Sequence, residues 1–224
     1  MTDYNPLDRR PIATREKAWS RAVAGRLIRM RISPNAISLF GMCAAMGAGV
    51  ALWGTAHWPE GVRLLWVAAA VGIQLRLAAN MFDGMVAVES GVASPVGEIY
   101  NELTDRISDA AVLIGLGYAV GGNPEFGYIA TALAILTTYI RALGKVAGAE
   151  QHFVGPMAKP HRMFLVTLLA LYLAMSPAAW QPAWAFRWIP GLPAGLLALI
   201  TLGCVVTCFR RLRRVMIDLP RSRA

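Results

Sequence analysis

Residues 32–59 carry no charged side chain, an apolar run longer than the ~20 residues needed to cross a bilayer core. A first membrane helix is expected near 36–56. A second apolar block runs from Leu64 to Phe82 with Arg76 as its interruption, a third from Ala110 to Gly121 and a fourth from Phe126 to Ile140. The third and fourth are short for a span, so both are expected to extend toward one side, the third backward through Asp109 and Asp105 and the fourth forward through Arg141 and Lys145. Met163 to Phe186 and Gly191 to Phe209 give helices five and six. The pattern predicts an all-α integral membrane protein of about six transmembrane helices.

Ahead of the first block, residues 13–31 place Ala18, Val23, Leu27 and Ile28 among Arg15, Lys17, Arg21, Arg26 and Arg29. That mixture predicts an amphipathic interfacial helix; a solvated basic arm is the competing reading. Ser33 is a candidate cap for helix one, with Pro34 at its tolerated first position. The chain divides into a basic juxtamembrane segment (1–32), a six-helix membrane domain (33–210) and a basic tail (211–224).

Charge adds an orientation. Eight Lys and Arg lie between Arg9 and Arg31 and six from Arg210 onward, whereas the loops on the opposite side hold only Arg63 and Arg187. Cytoplasmic loops carry such an excess, so both termini are expected in the cytoplasm of a bacterial-type inner membrane, with Trp180, Trp184 and Trp188 as an aromatic belt at the far interface. Composition agrees, with 56% hydrophobic and 16% charged residues. The net charge of +9 collects at the ends of apolar blocks, which suits anionic lipid headgroups rather than nucleic acid. Cys43, Cys204 and Cys208 all fall inside apolar blocks and imply neither a disulfide framework nor a zinc site. No small-residue cleavage pattern follows the first block, so a removable signal peptide is not expected.

Chemistry concentrates between Asn80 and Asp109, where polar groups stand at the edge of the membrane and are functional candidates. Asn80, Asp83 and Ala87 share one helical face, and Asn101, Asp105 and Asp109 repeat every four residues on the next helix. Facing stripes of this kind would gather carboxylate and amide oxygens, the hard donors that magnesium, manganese or calcium prefer. Helix capping and solvated edge charge is the alternative. Gly84 and Gly97 would let a bulky phosphate approach the backbone.

The order Asn80-Met-Phe-Asp83-Gly84-Met-Val-Ala87-Val88, eight residues, Gly97, three residues, Asn101, three residues, Asp105 resembles the motif of the CDP-alcohol phosphatidyltransferases in every spacing. Asn80 and Asn101 stand where that family carries aspartate, and Val88 where it carries arginine, so the sequence is similar to a divergent branch. Two charges are thereby removed from a site that in the family offers four carboxylates to two divalent ions. The resemblance covers nearly the whole chain.

The resemblance implies transfer of a phosphatidyl, or other substituted phosphoryl, group from a CDP-activated lipid to an alcohol acceptor, with release of CMP. It implies a divalent cofactor, Mg2+ or Mn2+, held by Asn80, Asp83, Asn101 and Asp105. Gly84, Ala87 and Gly97 would line the nucleotide site, Asp105 would take the acceptor's proton, and the protein would be a homodimer. Glu102 and Asp109 are candidates to compensate the missing charge. Arg76, seven residues before Asp83, is expected to pair with it or to reach a substrate phosphate. Lys159 and Arg162, with His161, are expected at a lipid or acceptor phosphate, or as ordinary flanking charge. Gly115, Gly117 and Gly121 are expected to allow close helix packing, and His57 and His152 to stand isolated. The rival readings are a catalytically inactive CDP-lipid-binding scaffold and a small transporter, the latter without evident inverted repeats.

Overall fold

The computed structural model describes residues 17–219. Arg9, Arg10 and Arg15 of the basic segment, and Arg221 and Arg223 of the tail, lie outside them. Seven helices follow one another: α1 (Ala18–Arg29), α2 (Pro34–Gly54), α3 (Val62–Glu89), α4 (Pro95–Gly117), α5 (Pro124–Val146), α6 (Lys159–Met175) and α7 (Leu192–Asp218). Five of them begin on a side chain or proline that satisfies a helix start. Ser33 Oγ accepts from the Ala36 N–H at 3.2 Å, as expected, Ser94 Oγ from Gly97 at 3.2 Å, and Asn123 Oδ1 from Phe126 at 3.0 Å. Proline occupies the first or second position of α2, α4, α5, α6 and α7.

The six longer helices touch in the closed order α2, α3, α6, α7, α5, α4, and α1 lies against α3. α4 is long because its polar first half, from Pro95, forms one helix with the apolar block behind it, the backward extension the sequence predicts. The fifth helix departs from expectation. It stops at Met175 rather than Phe186 because Ser176, just before Pro177, takes an extended conformation with ψ 146°, and residues before proline avoid the helical region. The Trp-rich segment is instead a folded loop, with Gln181 Nε2 donating to the carbonyls of Leu173 and Ser176 at 3.1 Å. Trp180, Trp184 and Trp188 are all exposed on it. α7 runs on to Asp218, eight residues past the expected end of the membrane domain.

α2, the segment Pro59–Glu89 including α3, α5 and α7 are long and apolar enough to span a membrane. α4 carries Glu98, Glu102, Asp105, Arg106 and Asp109, and α6 has 17 residues, about 26 Å at the helical rise. Outward-facing Phe40, Val50, Leu64, Phe164, Leu202 and Phe209 are exposed, a distribution suited to lipid and unsuited to water. The interior is lined by small residues. At the α2–α4 crossing the Gly115 position is so close to its neighbour that an added Cβ would lie 2.7 Å from Gly49 Cα, so the two backbones touch. His57 and His152 are not isolated: His57 stacks on Trp53 with centroids 4.1 Å apart, and His152 contacts the Asp218 carboxylate.

Candidate active site

The alternation of helix direction brings the starts of α2, α4 and α6 and the ends of α3, α5 and α7 to one end of the bundle. The buried polar residues Arg76, Asp83, Thr104, Asp105, Asp109, Arg162 and Arg211 collect there. Burying so many charges in a membrane protein is costly unless each is partnered or used.

Asp105 is the hub. Its Oδ1 takes ion pairs from Arg76 Nη2 and Lys159 Nζ, and its Oδ2 accepts from Asn80 Nδ2 at 3.3 Å, with Arg106 Nη2 3.7 Å away. The expected Arg76–Asp83 pair does not form. Helical side chains lean toward the N-terminus, so Arg76 points away from Asp83, two turns ahead of it, and meets α4 instead. Its Nη1 and Nη2 also lie 3.5 Å from the Ser38 carbonyl and Thr104 Oγ1. Asp83 is held from α2, where Ser38 Oγ donates to its Oδ2 at 2.6 Å.

Arg162 also departs from its expected place at a phosphate. Only 1% exposed, it donates from Nη2 to Asp109 Oδ2 at 2.8 Å and from Nη1 to the Met157 carbonyl at 2.6 Å. Asp109 therefore serves Arg162 through Oδ2. Lys159, three residues before Arg162, is brought to Asp105 by a loop fastened at several points. Arg211 Nε donates to the Val154 carbonyl at 3.1 Å, Met157 N–H to Thr207 Oγ1 at 3.1 Å, and Gly155 takes φ +120° where an added Cβ would lie 2.5 Å from Thr207 Cγ2.

Gly84 and Ala87 continue the Asn80–Asp83 face, with Ala87 buried. An added Cβ at Gly97 would meet only Ser94 Oγ, at 3.4 Å, so the packing of the chain itself does not demand glycine there. Three participants escaped the sequence reading. Ser38 is a single hydroxyl in an apolar helix, legible only as a polar residue one turn past the cap. Arg106 and Glu102 are an i,i+4 pair at 3.1 Å, and Arg141 joins them from α5 at 3.3 Å while standing over the Phe153 ring. Arg106 reaches Asp109 as well, at 3.9 Å.

Three buried oxygens in this cluster have no hydrogen-bond partner: Asp83 Oδ1 and Asn101 Oδ1, on the facing stripes of α3 and α4, and Asp109 Oδ1, on the carboxylate that Arg162 engages through Oδ2. A carboxylate and an amide oxygen left in this way fit a hard divalent cation. No group of three or more His, Cys, Asp or Glu side chains is placed to hold a metal among the described residues, so any such ion must rely on amide oxygens in part.

The profile of the CDP-alcohol phosphatidyltransferases matches residues 31–209. The chain belongs to that family. Among its relatives, the phosphatidylinositol phosphate synthase of Mycobacterium marinum is 27% identical over 199 residues, covering 86% of this chain and 77% of the relative. The inner membrane protein YnbA of Escherichia coli is 25% identical over 151 residues, or 67% of this chain and 73% of YnbA. The fold is shared with crystal structures of Mycobacterium tuberculosis phosphatidylinositol phosphate synthase. The one with CDP-DAG bound has a TM-score of 0.68 at 23% identity and covers 91% of this chain and 98% of that one. A second, with manganese and citrate, also has a TM-score of 0.68 and covers 90% of this chain and 92% of that one. This CDP-alcohol phosphatidyltransferase is thus a multi-pass membrane enzyme of phospholipid biosynthesis, transferring a phosphatidyl group from a CDP-activated lipid to an alcohol.

Proposed function

We propose that the donor is CDP-diacylglycerol, that the acceptor is a polyol bearing a phosphate, and that the reaction takes place on Asp105. The single observation that carries the placement is the meeting of Asp105 on α4 with Asn80 and Arg76 from α3 and Lys159 from α6, beside the unpartnered oxygens of Asp83 and Asn101. Relatives named phosphatidylinositol phosphate synthase support an inositol phosphate as the first acceptor to test.

Asn80, Asp83 and Asn101, with Asp105 beside them, would hold the divalent ion, Mg2+ or Mn2+. When bound, it would neutralise charge on the diphosphate as CMP leaves. Gly84, Ala87 and Gly97 leave room along α3 and the start of α4 for the nucleotide. The acceptor's hydroxyl oxygen attacks the lipid-bearing phosphorus, its proton passes to Asp105, and the bond from that phosphorus to the CMP oxygen breaks. Lys159 and Arg76 hold the Asp105 carboxylate in place, and Arg162 with Asp109 fixes the start of α6, from which Lys159 projects. The active form is a homodimer with its catalytic end in the cytoplasm.

Incubating the purified protein with labelled CDP-diacylglycerol and a panel of alcohols tests the reading. CMP release with inositol phosphate supports it; release only with an uncharged alcohol refutes the acceptor assignment, and release with none refutes the reaction. Light scattering in detergent tests the dimer.

A further inference from the structure

The ion pairs around Asp105 form one network in which five cations, Arg76, Arg106, Arg141, Lys159 and Arg162, face Asp105, Asp109 and Glu102, with Asp83 next to it as the fourth carboxylate. The cluster is cation-rich before any metal enters. Arg76 is 2% exposed and its ion pair is made with Asp105, so the Asp105 carboxylate already faces a buried positive charge. Lys159 adds a second positive charge to the same oxygen. Asn80 donates its amide N–H to the other oxygen, at 3.3 Å. Of the three carboxylates on the facing stripes, Asp83 and Asp109 each keep an oxygen without a partner, but the other oxygen of Asp109 is held by the buried Arg162 cation, whereas the other oxygen of Asp83 accepts only from the neutral Ser38 hydroxyl.

We propose that this site binds one divalent ion, liganded through Asp83, and that the paired Arg76 and Lys159 side chains serve at Asp105 in place of a second ion, presenting fixed positive charge to the donor's diphosphate. The inference rests on the reading of the site given above and concerns how this chain supplies its positive charge. Guanidinium and ammonium groups are established partners of phosphate oxygens, the ammonium as a compact point charge. A second divalent ion at Asp105 would have to displace Lys159 and sit against a buried guanidinium. Like charges a few ångströms apart in a partly dry site oppose each other strongly. One tightly held ion at Asp83 does not meet that repulsion.

The test is the number of Mn2+ ions bound per chain by the purified, detergent-solubilised full-length protein in the presence of CDP, read from the loss of the free-ion electron paramagnetic resonance signal. One ion per chain is expected, and two or none would overturn the proposal. Lys159→Met removes the charge while keeping the stem, so it should open a second site or tighten Mn2+ by about tenfold or more. Lys159→Arg keeps the charge and should behave as the wild type. Thermal melting of both variants reports whether they fold, and a folded Lys159→Met protein with wild-type Mn2+ binding would overturn the substitution of charge for metal. CMP release is scored separately. Two bound ions with CMP release sink this inference alone, and one bound ion without CMP release sinks the proposed reaction alone.

Discussion

Individual side chains in this enzyme do separable work, and their loss should look different. Asp105→Asn preserves shape beside Asn80, Arg76 and Lys159 but removes the proposed proton acceptor. CMP release in a single turnover should fall by ~10²-fold or more while CDP-lipid still binds. Normal turnover by that variant would move the role of base to another group. Asp83→Asn should instead weaken metal-dependent donor binding, measured by CDP-lipid titration with and without Mn2+, because it removes a carboxylate that has an unpartnered oxygen and no cation paired to it. Asp109→Asn should act on stability rather than chemistry. It leaves the fully buried Arg162 without its counter-charge, and losing one partner of such a pair costs about 3–5 kcal/mol. A large drop in melting temperature, with little change in CDP-lipid affinity in the fraction that stays folded, is the expected pattern.

Helices here are placed by their contacts as much as by their composition. α2 and α4 meet where Gly49 and Gly115 let the backbones touch, while Ser38 of the same α2 holds Asp83 of α3. Gly115→Val inserts a branched side chain where an added Cβ would already lie 2.5 Å from the Gly49 carbonyl oxygen. Overpacking of this kind typically costs 1–3 kcal/mol and shifts backbones. The variant should melt earlier and bind CDP-lipid more weakly although residue 115 is remote from Asp105 by more than two helical turns. Wild-type melting and binding would show that the crossing tolerates a wider separation. The polar first half of α4 was legible from the four-residue repeat of Asn101, Asp105 and Asp109. The end of α6 was hidden because apolar residues continue past Met175, while a single Ser176–Pro177 step stops the helix.

Over the whole molecule, the basic ends of the helices and the polar cluster coincide. Ser90 and Glu150 belong to loops at the end that holds the polar cluster, and Trp58, Asn123 and Pro182 to loops at the other. Cysteines introduced at positions 90 and 150 should resist an impermeant reagent added to intact cells, and those at 58, 123 and 182 should react. Labelling of position 90 from outside would invert the orientation and put the site on the wrong side for a cytoplasmic nucleotide substrate.

The sequence by itself determined the class of fold, the membrane setting and the two stripes of polar residues, because apolar run length and helical period are local properties of a chain. It also carried the family resemblance, which is a matter of spacing. Only the tertiary structure decided which charges meet. Arg76 answers Asp105 rather than Asp83, Arg162 answers Asp109 rather than a substrate, and Ser38 answers Asp83. Each of these pairs joins different helices across many residues of sequence. Their partners are set by the lean of side chains along each helix and by the way small residues let helices close on one another, neither of which any single segment contains.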